Sequence, residues 1–515
     1  MKSKPFIYSI LTTATLMGMH TVQAQPMPML DAEKRPTQNS EVNSEVYSLE
    51  FDDKNYTVKT VDVGGQVIKY RAYENIVYVQ HPVDAQFERM NIFIPEMYFQ
   101  DRKGRGYNIF NINTAPIFFP NTVGGYMPGK PDAPGLDREG KNPNAIAVAL
   151  SKGYVVASPG ARGRVLQNSA GQYTGKAPAA IVDLKAAVRY LRYNDKKMPG
   201  NAEKIISNGT SAGGALSALL GASGNHPDYQ PYLDALGAAK ARDDIYAVSA
   251  YCPILNLEHA DAAYEWQFNG VNDFKKMVMT QMTDWRMERK EVAGTLTAAE
   301  VQTSDSLKKL FPNYVNSLAL KSANGKLLSL NAQGNGSFKE HVKSFVIASA
   351  QKSLNSGEDL SSFQWLTVRN GRVVDMDFDQ YVRAITRLKT PPAFDALDLS
   401  SGENDLFGTA EVKAQHFTAF AYKNSVKGGA IADDKLVKMM NPMRYLNTNG
   451  TTTSKHWRVR HGTADRDTSL AIPVILATEL QQSGKNVDFA LPWNRPHSGD
   501  YDLNELFAWM EKITR

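Results

Sequence analysis

Residues 204–220 read Lys-Ile-Ile-Ser-Asn-Gly-Thr-Ser-Ala-Gly-Gly-Ala-Leu-Ser-Ala-Leu-Leu. The run at 204–207 predicts a short buried strand, and the Ala- and Leu-rich run at 212–220 predicts a helix. Between them lies Gly209-Thr210-Ser211-Ala212-Gly213, a G-x-S-x-G motif. Those five residues alone carry little information, because glycine and serine are common. Their setting gives them meaning. A serine between a strand and a helix sits on a sharp, strained turn with its hydroxyl exposed. A side chain at either glycine would crowd that turn. Ser211 is therefore the candidate nucleophile.

Outward from this stretch the pattern repeats. Residues 47–51, 76–79 and 90–95 read as strands, 109–119 form a longer apolar run that ends at Pro120, and 153–158 read as a buried strand. Residues 179–193 form an amphipathic helix with Ile181, Leu184, Val188 and Leu191 on one face. Late in the chain, 457–460 and 487–491 look like strands, with a helix-like stretch at 469–482 between them. Strands first and strand–helix alternation afterwards predict an α/β fold with a mostly parallel central sheet. Residues 258–440 break the alternation, with helix formers and Trp266, Trp285 and Trp365 scattered through them. They are expected to form an inserted, mainly helical lid. The catalytic domain is then 46–257 together with 441–515.

The chain has 515 residues, 42% hydrophobic and 22% charged, which suits a large globular core. The first 24 residues are expected to be a secretory signal peptide. Lys2 and Lys4 begin it, a mostly apolar stretch follows, and Val22-Gln23-Ala24 fits a small-x-small cleavage site. The apolar run is short of the roughly 20 residues that span a bilayer. Residues 25–45 read as a flexible N-terminus, and the protein as secreted or periplasmic with no membrane partner after cleavage. The net charge of +5 falls to +3 without Lys2 and Lys4, too little to argue for nucleic acid. The lone cysteine, Cys252, rules out an intramolecular disulfide and reads as a buried small hydrophobe. No His/Cys/Asp cluster stands at metal-ligand spacing, so no metal or cofactor is expected.

A serine needs a base, and the base needs an orienting carboxylate, in the chain order Ser, Asp or Glu, His. His497 follows the strand at 487–491 and is the last histidine of the chain. Asp465 follows the strand at 457–460 in His461-Gly462-Thr463-Ala464-Asp465, with Asp467 as rival carboxylate. His461 is the rival base and reads as a loop-supporting residue. Two backbone N–H groups must face the developing oxyanion. Ala212 follows the nucleophile, and Gly125 of Asn121-Thr122-Val123-Gly124-Gly125 is the candidate for the second. Asp465 lies 254 residues after Ser211, where two βα units account for only about 60. The excess is the insert, which is expected to cover the pocket and set its specificity.

Gly-Thr-Ser-Ala-Gly-Gly at 209–214, His-Gly-Thr-Ala-Asp-Arg-Asp at 461–467 and Pro-His-Ser-Gly-Asp at 496–500 resemble the bacterial tannases. The resemblance runs from about residue 60 to the C-terminus. It implies an α/β-hydrolase fold with a large cap and cleavage of galloyl esters. It implies Asp465 as the orienting carboxylate and Asp467 as a ligand of the galloyl hydroxyls. It further implies Lys389 and Glu403 at those hydroxyls and Ile254 against the ring, with Gly402 standing where the family has a proline. A feruloyl esterase or broad carboxylesterase of the same fold, a serine peptidase, and a hydrolase-fold binding protein are the competing readings.

Overall fold

The computed structural model describes residues 46–100, 110–283 and 286–515. The expected leader at 1–24, the expected flexible N-terminus at 25–45 and Trp285 lie outside the described residues.

Nine strands make the central sheet. In chain order they are β1 (Thr57–Val63), β2 (Gln66–Val77), β3 (Arg89–Pro95), β4 (Pro116–Pro120), β5 (Val155–Pro159), β6 (Asn201–Thr210) and β7 (Ala247–Tyr251). Next come two hairpins outside the sheet, β8 (Asp273–Thr283) with β9 (Arg286–Thr295) and β10 (Leu366–Arg369) with β11 (Arg372–Met376). The sheet closes with β12 (His456–Arg460) and β13 (Asn486–Ala490). Its spatial order is β1-β2-β3-β5-β4-β6-β7-β12-β13. Strands β5 to β13 in that order pair in parallel, while β1, β2 and β3 form an antiparallel wing. The central strands β4, β5, β7 and β12 are buried along their whole length, although β12, His-Trp-Arg-Val-Arg, buries two arginines.

The sequence reading differs from the structure at the N-terminal wing. Residues 47–51 are not a strand. Phe51 instead gives its N–H to the Asn194 side chain at 2.9 Å, and Tyr47 gives its N–H to the Gln80 carbonyl at 3.0 Å. Of the stretch at 76–79 only Ile76 and Val77 belong to a strand, the end of the longer β2, while Val79 bridges Ala238; the β2 hairpin with β1 turns at Gly64 and Gly65, both with positive φ. β1 escaped notice because it is an exposed edge strand, Thr-Val-Lys-Thr-Val-Asp-Val, with too little apolar contrast.

Helices Ala179–Tyr193, Ala212–Ala222 and Ala471–Gln482 form where the periodicity placed them. Between β7 and β12 the chain leaves the sheet for helices such as Leu257–Phe268 and Ser337–Asn355 and for the two hairpins. A single hydrophobic core joins this insert to the sheet: Trp266, Phe311 and Phe338 belong to the same cluster as Val248, Leu216 and Trp457. Among the described residues no helix is long and apolar enough to cross a membrane.

Candidate active site

Ser211 sits at φ +62° and ψ −122°, between the end of β6 and the first turn of helix Ala212–Ala222. A non-glycine residue there costs on the order of 1–3 kcal/mol and persists only where neighbours enforce it. Here they do. Ser211 gives its N–H to the Tyr251 carbonyl at 2.9 Å, and its own carbonyl accepts from Ala215 at 2.9 Å and Ile254 at 3.2 Å. The flanking glycines are required by contact. A Cβ on Gly209 would meet the Gly213 carbonyl oxygen at 2.3 Å, and one on Gly213 would meet Asn121 Oδ1 at 2.6 Å. Gly209→Ala is accordingly expected to cost more than about 2 kcal/mol, because backbone rather than a side-chain tip must yield. An unchanged urea midpoint would sink this account of the turn.

Asn121 is a site residue that the sequence reading passed over as plain loop. Its side-chain amide donates to the Gly213 carbonyl at 3.1 Å and to Ser217 Oγ at 3.1 Å. It thereby fastens the 121–125 loop to the serine turn. Gly125 follows at φ +56°, a conformation that suits glycine. Its carbonyl accepts from Arg164 Nε at 2.9 Å. Ala212 opens a helix, so its N–H has no intrahelical acceptor.

His497 lies in the loop beyond β13, and Asp465 in the loop beyond β12. Sheet registry places the ends of β6, β7 and β12 side by side, with Thr210 opposite Tyr251 and Tyr251 opposite Arg460. The histidine loop docks directly on the serine turn. Gly499 packs so closely on Thr210 that a Cβ there would meet Thr210 Oγ1 at 1.8 Å, and the Asn208 amide donates to Asp500 at 3.0 Å. His497 Nδ1 donates to Asp465 Oδ2 at 2.7 Å, whereas Asp467 Oδ2 stands 3.8 Å away. Asp465 is fully buried, and its other oxygen accepts the Asp467 N–H at 2.8 Å. His461 Nδ1 lies 3.6 Å from Asp465 Oδ2 and makes no hydrogen bond to it.

Charge follows from this packing. Burial raises the Asp465 carboxyl, but the imidazoles of His461 and His497 and the Asp467 N–H outweigh it and hold it well below the ordinary range. Burial pushes His497 down, yet the carboxylates of Asp465 and Asp467 outweigh it and lift the imidazole well above its ordinary value. Burial dominates at His461, whose imidazole is lowered.

The segments that carry the remaining residues singled out in the sequence are joined by a chain of contacts. Tyr264 OH donates to the Arg466 carbonyl, between Asp465 and Asp467, at 3.0 Å and accepts the Lys389 N–H at 3.0 Å. Lys389 Nζ lies 4.0 Å over the Phe394 ring. The Phe394 carbonyl accepts from Ser401 Oγ, and Ser401 caps the short helix Gly402–Leu406 that carries Glu403. A Cβ on Gly402 would meet the Arg164 guanidinium at 3.2 Å, and that guanidinium returns to Gly125. Arg164 also pairs with Asp405 of the same helix. Tyr126 OH donates to the Ile254 carbonyl at 3.0 Å, and burial, then the charge of Glu403, raise its phenol. Through these contacts the segments that carry Asp467, Lys389, Glu403 and Ile254 connect to one another and, by way of Arg164, to Gly125.

A second Ser–His–Asp set lies in the insert and was invisible in the sequence. His416 Nδ1 meets Asp395 Oδ1 at 2.7 Å and His416 Nε2 meets Ser425 Oγ at 2.8 Å. Its surroundings are structural. Asp395 Oδ2 accepts the N–H groups of Phe417 and Thr418, and Oδ1 accepts from Asn404, the residue after Glu403. Ser425 Oγ donates to the Gly428 carbonyl at 2.8 Å and occupies no strained turn.

A mostly parallel sheet with a serine on the tight turn after a central strand, and an Asp–His pair on the loops after later strands, defines an α/β-hydrolase. A family model described as BD-FAE matches residues 134–317. Among curated proteins, esterase LipQ of Mycobacterium tuberculosis is 34% identical over 88 residues, 17% of this chain and 20% of that protein. Esterase LipC of the same organism is 45% identical over 56 residues, 11% of this chain. These matches therefore span a fifth of the curated relatives or less, 20% and 14%. Solved structures match far more of the chain. The tannase of Fusobacterium nucleatum is 53% identical with a TM-score of 0.87, covering 91% of this chain and 100% of its own. A tannase of Lactobacillus plantarum is 48% identical with a TM-score of 0.87, over 91% and 100%. A tannin acyl hydrolase in complex with ethyl gallate is 49% identical with a TM-score of 0.85, over 91% and 99%. The chain belongs to the bacterial tannase family.

Proposed function

We propose that the protein hydrolyses galloyl esters to gallate through an acyl-serine intermediate. The observation that carries this reading is the Asp465–His497 hydrogen bond on loops that follow the strands beside the strained Ser211 turn. Ser211 Oγ attacks the ester carbonyl and His497 Nε2 takes its proton. The Ala212 and Gly125 N–H groups receive the oxyanion. The imidazolium then protonates the leaving alcohol, and water repeats the cycle to free the acid. No metal or cofactor enters any of these steps.

Three adjacent phenolic hydroxyls are donors, which suits the carboxylates of Asp467 and Glu403 as acceptors, while Lys389 can donate to a phenolic oxygen. A ferulate would leave some of these groups unpaired, at about 1–3 kcal/mol each. The test compares kcat/KM on methyl gallate, methyl ferulate and a p-nitrophenyl alkyl ester. Gallate is expected to lead by about 10²-fold or more, and Glu403→Gln to erase about 10- to 100-fold of that lead while sparing the alkyl ester. Equal turnover of ferulate would replace this reading with the broader carboxylesterase that the LipQ and LipC matches favour.

A further inference from the structure

The sequence holds no metal motif, yet the fold draws three scattered ligand types together. Cys252, His461 and Asp465 each offer a ligand atom, and those atoms lie within 4.8 Å of one another. All three residues are buried. Cys252 directly follows β7 and His461 directly follows β12, and Cys252 gives its N–H to the Arg460 carbonyl at 2.7 Å. Parallel strand pairing thus sets the thiol and the imidazole side by side.

His461 supplies the second observation. Its ring is fully buried, and among the described residues neither Nδ1 nor Nε2 has a hydrogen-bond partner. A buried polar side chain left so is uncommon. Nδ1 faces Asp465 Oδ2 at 3.6 Å. Tetrahedral zinc, with bonds of roughly 2.0–2.3 Å to nitrogen, oxygen and sulfur, wants its donors about 3.3–3.7 Å apart. The His461–Asp465 pair already has that separation, and the thiol lies within 4.8 Å of both. Thiolate plus imidazole is a donor set for zinc and cadmium rather than for magnesium or calcium.

The geometry points to an inhibitory site for one zinc ion at Cys252, His461 and Asp465. Binding breaks the Cys252 S–H bond, forms a zinc–sulfur bond and releases one proton to solvent. The ion takes Asp465 Oδ2, the oxygen that now accepts from His497 Nδ1 at 2.7 Å. His497 then loses its orienting partner, and the cation opposes the imidazolium. The overlapping trio of Asp465, Asp467 and His497 lacks a thiol, so the thiol separates the two sites. The inhibition, though not the binding, rests on the role proposed above for Asp465.

The test titrates the full chain, and its Ser211→Ala variant, with cadmium and then zinc. Expected are one ion per chain, a near-ultraviolet cadmium–thiolate band, and loss of methyl gallate hydrolysis that a chelator reverses. Cys252→Ser should remove the band and weaken zinc binding at least tenfold, and its hydroxyl can keep the hydrogen bond that the thiol gives to the Ser498 carbonyl at 3.2 Å. His461→Gln should weaken binding likewise, with melting curves confirming that both variants fold. A missing band, or a Cys252→Ser protein that binds zinc within tenfold of the parent, overturns the site. Zinc bound at Cys252 with no inhibition overturns the role of Asp465 instead.

Discussion

Ser211→Ala is expected to lower kcat on methyl gallate by about 10⁶-fold, the scale seen when a triad serine is removed from another hydrolase. KM should change little, because Asp467, Lys389 and Glu403 are held by contacts that do not include the hydroxyl. The melting temperature should hardly move, because alanine keeps the same φ of +62° and the same backbone bonds. The experiment also decides between two serines. If Ser425 of the second Ser–His–Asp set were the nucleophile, Ser211→Ala would keep its rate. A fluorophosphonate probe followed by peptide mass mapping should label the 211 peptide in the parent and neither peptide in the variant. Residual activity above about 1% after removal of contaminating esterase would reject Ser211 as nucleophile, since triad losses run to several powers of ten.

How much of this was legible beforehand depends on the range of the interactions. The turn at Ser211 was readable because a strand, a glycine pair and a helix are encoded within seventeen consecutive residues. Asp465 and His497 were readable because chain order on this fold is fixed and each follows a strand of its own. Which carboxylate meets the imidazole was open from the residues alone. It is decided by Asp467, whose backbone N–H, not its side chain, supports the Asp465 carboxylate. Lys389 and Glu403 look like ordinary charges in sequence, and only the family resemblance raised them. Their placement depends on Tyr264, Ser401 and Arg164, which are far from them or from each other along the chain. The clusters at Asp395–His416–Ser425 and Cys252–His461–Asp465 went unread for the same reason. Their members meet through tertiary packing, and no spacing rule connects them.

Asp465→Asn is expected to lower kcat by about 10⁴-fold, because an amide can hold the imidazole in the wrong tautomer with the geometry otherwise intact. The pH dependence makes this more than a loss of function. In the free enzyme His497 must be neutral to act as base, and kcat/KM reports that ionisation. Burial lowers its pKa, and Asp465, then Asp467, raise it above the ordinary imidazole value. The acid limb of the parent should therefore lie above about pH 6.5. Removing the Asp465 charge leaves burial less opposed, so the limb of the variant should move to lower pH while the plateau falls. Stability follows the same signs. The raised His497 contributes stability that is complete below the unfolded imidazole pKa and fades as pH rises through its folded value. The lowered Asp465 contributes stability present above the unfolded carboxyl pKa and lost as pH falls through its folded value. Both contributions are whole between about pH 4 and 6.5, so the variant's deficit in unfolding free energy should be largest there and shrink at alkaline pH. A limb that stays put, or a deficit that grows with alkaline pH, would show that Asp467 rather than Asp465 sets the charge of the base.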